Sequence, residues 1–142
     1  MTAPRNFPPA VGSPGPTLDA FEALAVEPGE FDHEAHLYVA WRYLQAFDLL
    51  ASIDRYRSVL RRLTRKFGVA DKYHETITWF YLIQVAERAT GNAASDWLTF
   101  KDENADLFAR NPDIIRRYYS DARLRSDAAR KNFVLPDILP GV

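Results

Sequence analysis

The segment from Ile77 to Ala86 limits the fold more than any other part of the chain. It carries Ile77, Trp79, Phe80, Tyr81, Leu82, Ile83 and Val85 and is apolar almost all round. An element of that kind has to be enclosed by its neighbours. Several of these residues also favour strands. The length from Asp71 to Thr90, the Gly91 after it and the helical periods that precede it nevertheless point to a helix. Asp71 is the expected N-cap and Gly91 the expected stop. The uncharged stretch Thr76–Ala86 is also far shorter than the roughly 20 apolar residues that span a bilayer.

The flanking sequence supplies further helices. Thr17 is placed to cap a short one through Leu18, Phe21, Leu24 and Ala25, ended by Pro28-Gly29. A second begins near Phe31 or Asp32 and carries Leu37, Ala40, Trp41, Leu44, Phe47, Leu50 and Ala51 on one stripe to about Leu50. The third, about Ile53 to Phe67, closes on Gly68, a residue suited to a left-handed terminus. After Gly91, Ser95 is a cap for a helix through Trp97, Phe100 and Phe108 that breaks near Asn104. Asn111-Pro112 starts another, through Ile114, Ile115, Tyr118 and Tyr119. Ser120 or Ser126 caps a last short turn, and prolines keep the apolar tail Phe133–Pro140 extended. Residues 1–16 hold five of the nine prolines and read as a flexible arm. The expected fold is all-α: a single domain over residues 17–142, with five to seven helices around one central buried helix.

With no cysteine in the chain, disulfides, thiolate metal sites and cysteine nucleophiles are excluded. No basic start leading into an apolar run opens the sequence, so the expected location is cytoplasmic, with no membrane partner. Glycine-rich phosphate loops, Gly-x-Ser-x-Gly elbows and the His-Glu-x-x-His zinc motif are absent.

The three histidines fall into two short segments near helix starts, Asp32-His33-Glu34-Ala35-His36 and Tyr73-His74-Glu75-Thr76. His33 and His36 extend the apolar stripe of their helix backwards, and His74 aligns with Thr78 and Tyr81. Three neutral imidazoles at one point would suit Zn, Fe, Cu or Ni, which makes His33, His36 and His74 the candidate metal ligands. Without a metal, His74 with Glu75 and Tyr81 forms a candidate acid-base set, with Tyr73, Thr78 and Trp41 orienting a small polar substrate. On this reading truncation of His74 to Ala costs only about 1–2 kcal/mol of stability, an ordinary single-substitution effect.

Basic residues gather at Arg55, Arg57, Arg61, Arg62, Arg65 and Lys66, and again from Arg116 to Lys131. An acidic run, Asp19 to Glu34, offers a complement, and the net charge is −1, so the basic faces read as solvated surface and nucleic acid as an unfavoured partner. The functional expectation is a small helical enzyme or enzyme-like protein with a histidine-lined, metal-dependent or metal-free pocket for a small-molecule ligand. The alternative is a non-catalytic module or accessory subunit, docking a larger partner through its aromatic and basic C-terminal segment or associating with its own copies.

Overall fold

The computed structural model describes residues 14–89, 96–110 and 113–138. These residues are all-α, with no strand among them. The helices are α1 (Leu18–Glu22), α2 (His33–Ala46), α3 (Leu49–Lys66), α4 (Glu75–Ala89), α5 (Trp97–Glu103), α6 (Asp121–Arg125) and α7 (Asp127–Lys131). Short 3-10 turns at Pro28–Glu30, Ala70–Lys72, Ala105–Phe108 and Ile114–Arg117 link them. None of the helices is long and apolar enough to cross a membrane. The chain divides into two compact units, Met1–Tyr73 and His74–Val142.

In the first unit the helix starts obey local chemistry. Thr17 accepts a hydrogen bond from the Ala20 amide, Asp32 from Ala35 and Asp48 from Ala51, so each helix opens on a side-chain oxygen. Asp48 separates α2 from α3, whereas the apolar stripe through Phe47, Leu50 and Ala51 runs on as if one helix continued. The spacing is helical on both sides of the break, and periodicity by itself does not register a cap. Leu50 in fact lies exposed, at 75%.

Both α1 and α3 end in the same wrapped turn. At α3 the Val69 amide bonds the Thr64 carbonyl at 2.8 Å and the Gly68 amide bonds Arg65 at 3.0 Å, with Gly68 at φ +72°. At α1 the corresponding bonds are Ala25 to Ala20 at 2.8 Å and Leu24 to Phe21 at 2.9 Å. There Leu24 takes the left-handed conformation, φ +58°, that glycine adopts without strain. Helix α1 therefore stops at Glu22, before Pro28-Gly29, which instead forms part of a 3-10 turn. No atom lies within 4 Å of a Cβ built on Gly68. Gly68→Ala is thus expected to lower stability by about 1 kcal/mol through backbone strain alone, readable as a fall in the urea midpoint at unchanged m-value.

Packing in this unit centres on Phe21, whose ring lies 5.4 Å from Phe31, 5.4 Å from Tyr56 and 6.1 Å from Tyr43 between centroids. The two phenols find partners: Tyr43 donates to Glu22 at 2.8 Å, and Tyr56 to the His36 carbonyl at 2.9 Å. Burial, aided by the Glu22 carboxylate, pushes the Tyr43 hydroxyl well above the ordinary phenol range. The last residues of the expected arm are described and do not lie free. Residues 1–13 lie outside the described part, but Gly15 and Pro16 are buried, and a Cβ on Gly15 would sit 3.1 Å from the Tyr38 ring and 3.2 Å from Ala35. A side chain at this position would therefore crowd α2, which would have to give by a few tenths of an ångström.

In the second unit no residue from His74 to Ala86 is exposed, as the apolar run requires. Helix α4 packs against α7, and Phe80 meets the rings of Tyr118 at 5.4 Å and Tyr119 at 6.1 Å. Asp96, rather than Ser95, caps α5 by accepting from the Thr99 amide, and α5 breaks at Asn104. Ser95, Gly91 and the expected Asn111-Pro112 start lie outside the described residues. Beyond Pro112 the chain forms a 3-10 turn at Ile114–Arg117 instead of an α-helix. Ser120 caps α6 and Ser126 caps α7. The segment 132–138 then runs extended over its own unit: Ile138 donates its amide to the Tyr118 carbonyl at 2.9 Å, and Tyr119 donates its hydroxyl to Val134 at 2.7 Å.

Candidate functional site

Helix α4 begins one turn later than Asp71 suggests. Asp71 belongs to the 3-10 turn Ala70–Lys72, and Tyr73 is extended at ψ 137°. The capping residue is His74. Its carbonyl accepts the Thr78 amide at 3.1 Å, and its Nδ1 accepts the Ile77 amide at 3.1 Å, the bond a Ser or Asp oxygen makes at other helix starts. The other nitrogen, Nε2, donates to the Leu124 carbonyl at 2.7 Å. That carbonyl belongs to the last turn of α6 and has no partner within its helix. The ring is therefore fixed as the neutral Nε2–H tautomer, since only that form accepts at Nδ1 and donates at Nε2. Burial lowers its pKa below the ordinary histidine value, with Arg130 on α7 acting in the same direction and the Leu124 bond opposing.

Two positions along α4, Thr76 is fully buried. Its hydroxyl lies 2.7 Å from the Ala129 carbonyl, 2.7 Å from the Asn132 carbonyl and 3.2 Å from the Val134 amide. Its proton thus serves the open end of α7 and a lone pair serves the Val134 amide of the extended tail. Beside it, the Trp79 ring stacks on Phe133 at 5.0 Å. Sequence reasoning singles out His74 and Thr78 in this segment and passes over Thr76, whose partners lie 53 to 58 residues away.

The remaining expected site residues divide between the two units. Thr78 donates its hydroxyl to the His74 carbonyl at 2.8 Å, Glu75 is buried, and Tyr81 lies edge-on to Phe80 at 5.2 Å. Burial, reinforced by the charge of Asp113, pushes the Tyr81 hydroxyl up to about 12. These side chains share α4 with His74. His33, His36, Trp41 and Tyr73 belong to the first unit. His36 bonds the Asp32 carbonyl through Nδ1 at 2.8 Å and lies 4.0 Å from the Phe31 ring. Trp41 is buried and stacks on Tyr38, and Tyr73 carries the Arg61 guanidinium 5.7 Å over its ring. Among the described residues no group of three or more His, Asp or Glu side chains is arranged to hold a metal ion, so the three-histidine centre expected from sequence is not found.

The C-terminal segment is also spent largely on its own unit. Tyr119 is buried and Phe133 is half-buried against Trp79. Arg116 pairs with Asp113 at 3.1 Å and also with Asp121, and Arg123 donates through Nε to the Leu135 carbonyl at 2.9 Å. Comparison with known proteins finds no matching family model, no similar curated protein and no similar solved structure.

Proposed function

We propose that this protein is a non-catalytic helical binding module, the second of the two classes its sequence admits. One observation carries the reading: both ring nitrogens of His74 are engaged by backbone groups, Nδ1 by the Ile77 amide and Nε2 by the Leu124 carbonyl. A histidine acting as metal ligand or general base needs a nitrogen lone pair facing its ion or substrate. The lone pair of neutral His74 is directed at an amide of its own helix, and serving another group means uncapping α4. Thr78, the expected substrate-orienting residue next to it, likewise spends its proton on the His74 carbonyl.

The test is a metal titration of the purified full chain with Zn(II), Co(II), Ni(II) and Cu(II), run in parallel on His33→Ala and His74→Ala, together with nitrogen-15 spectra of the imidazoles. The expected result is an Nε2–H tautomer at His74 near neutral pH and no stoichiometric uptake that either substitution removes. One equivalent of metal bound by the wild type and lost in His33→Ala or His74→Ala would return the protein to the enzyme class.

A further inference from the structure

The acidic run Asp19–Glu34 complements the basic helix faces in sequence, yet it leaves the C-terminal half of α3 unneutralised. Arg55 reaches Glu22 at 3.6 Å, and Lys66 donates to the Leu24 carbonyl at 2.6 Å. Arg61, Arg62, Arg65 and Lys72 are exposed, and no carboxylate among the described residues lies within ion-pair distance of them. Their geometry is partly set in advance. Arg61 lies over the Tyr73 ring, and exposed Arg65 makes a long contact from Nε to the Arg61 carbonyl at 3.5 Å. Aromatic stacking and a backbone anchor both reduce the side-chain freedom lost when a guanidinium is bound.

We propose that this face of α3 binds a short acidic segment of a partner protein, in the first instance a helix with carboxylates four residues apart. Arg61 and Arg65 are themselves four apart, about 6 Å along the axis, the same step that separates such carboxylates on a partner helix. Guanidinium groups pair with carboxylates in a two-bond fork, which gives orientation as well as attraction. The patch is only about two turns long, and the same unit exposes Asp19, Glu27, Glu30 and Asp32, so a long polyanion such as a nucleic acid meets repulsion beyond it. The Tyr73 face is already occupied by Arg61 and does not offer a stacking platform for bases. A lipid surface is disfavoured because, among the described residues, the exposed large apolar ones are Leu50, Leu98, Leu135 and Ile138, none within the patch.

The proposal rests on the binding-module reading and has its own test. A fluorescein-labelled alanine-based helical peptide with Glu at every fourth position is titrated with the full chain at low ionic strength, monitored by anisotropy. Saturable binding is expected, weakened about tenfold in Arg61→Gln/Arg65→Gln and partly restored in Arg61→Lys/Arg65→Lys, which keeps the charge but not the fork. Arg125→Gln/Lys131→Gln removes the same charge from exposed positions of the other unit and should change affinity less than about twofold. Circular dichroism confirms that each variant is folded. Equal losses in the two Gln pairs, absence of saturable binding, or tighter binding of a single-stranded oligonucleotide or of phosphatidylserine vesicles than of the peptide would each overturn the proposal. None of these outcomes alters metal uptake, on which the binding-module reading stands or falls.

Discussion

Thr76→Val is expected to destabilise the second unit by about 2–4 kcal/mol, although it replaces a buried polar residue with an apolar one of nearly the same shape. The cost arises at the partners. Removing the hydroxyl leaves the Val134 amide without its acceptor and the carbonyls of Ala129 and Asn132 without a donor, at about 1–3 kcal/mol for the fully buried Ala129 bond and less for the two part-buried ones. One proton satisfies one carbonyl well at a time, so the sum is set by roughly two full bonds and not three. Thr76→Ser keeps the hydroxyl and loses one methyl, about 1 kcal/mol. Serine should therefore be better tolerated than valine, the reverse of the order for a position governed by apolar burial. Hydrogen exchange provides a local readout: the Val134 amide should lose protection in the valine variant and retain it in the serine variant. A valine variant as stable as the wild type would show that the extended tail is held by Tyr119, Ser120 and Arg123 without help from α4.

The position of Thr76 explains what the sequence makes legible and what it does not. Thr17, Gly68, Ser120 and Ser126 are recognisable as helix ends because each acts on residues within five positions of itself, and local chemistry leaves a local pattern. The all-α class rests on the same short-range periods. Asp48 carries an equally good local signal, an acid three residues before Ala51, but the apolar stripe passing over it hides the break. Asp71 carries that signal too but lies inside a 3-10 turn, because the chain caps α4 with an imidazole three residues later. Histidine does not rank among the usual caps, so residue preference points to the wrong place. The surroundings of the candidate site residues are hidden for a related reason. The alignment of His74 with Thr78 on one helix is real, but what the ring does depends on Leu124, 50 residues away, and no spacing rule reaches that far.

His74→Ala is accordingly expected to cost about 2–4 kcal/mol, beyond the 1–2 kcal/mol that suits a histidine kept for function alone. The N-cap bond to Ile77 accounts for about 1 kcal/mol and the stranded Leu124 carbonyl for about 1–3 kcal/mol. His74→Asn separates the two contributions. Asparagine accepts from the Ile77 amide as a good cap does but is too short to hold the Leu124 carbonyl in the same geometry, so it should recover about 1 kcal/mol of the loss. The wild type also carries a pH signature. Folding keeps His74 neutral, so its folded pKa lies below the ordinary value of about 6.5 retained by the unfolded chain. Above that value both states are neutral and the two bonds contribute in full. As the pH falls below it, the unfolded imidazole takes up a proton that the folded one resists, and stability declines with pH until the folded pKa is reached, where the dependence on this residue levels off. Protonation in the folded state converts Nδ1 to a donor facing the Ile77 amide and places a positive charge at the N-terminus of α4, where the helix dipole opposes it. Urea midpoints from about pH 7.5 to 5 should therefore fall more steeply for the wild type than for His74→Asn, which has nothing to titrate at this position. Parallel pH profiles for the two proteins would show that the ring is as readily protonated folded as unfolded, and the double-cap role of His74 would fail with it.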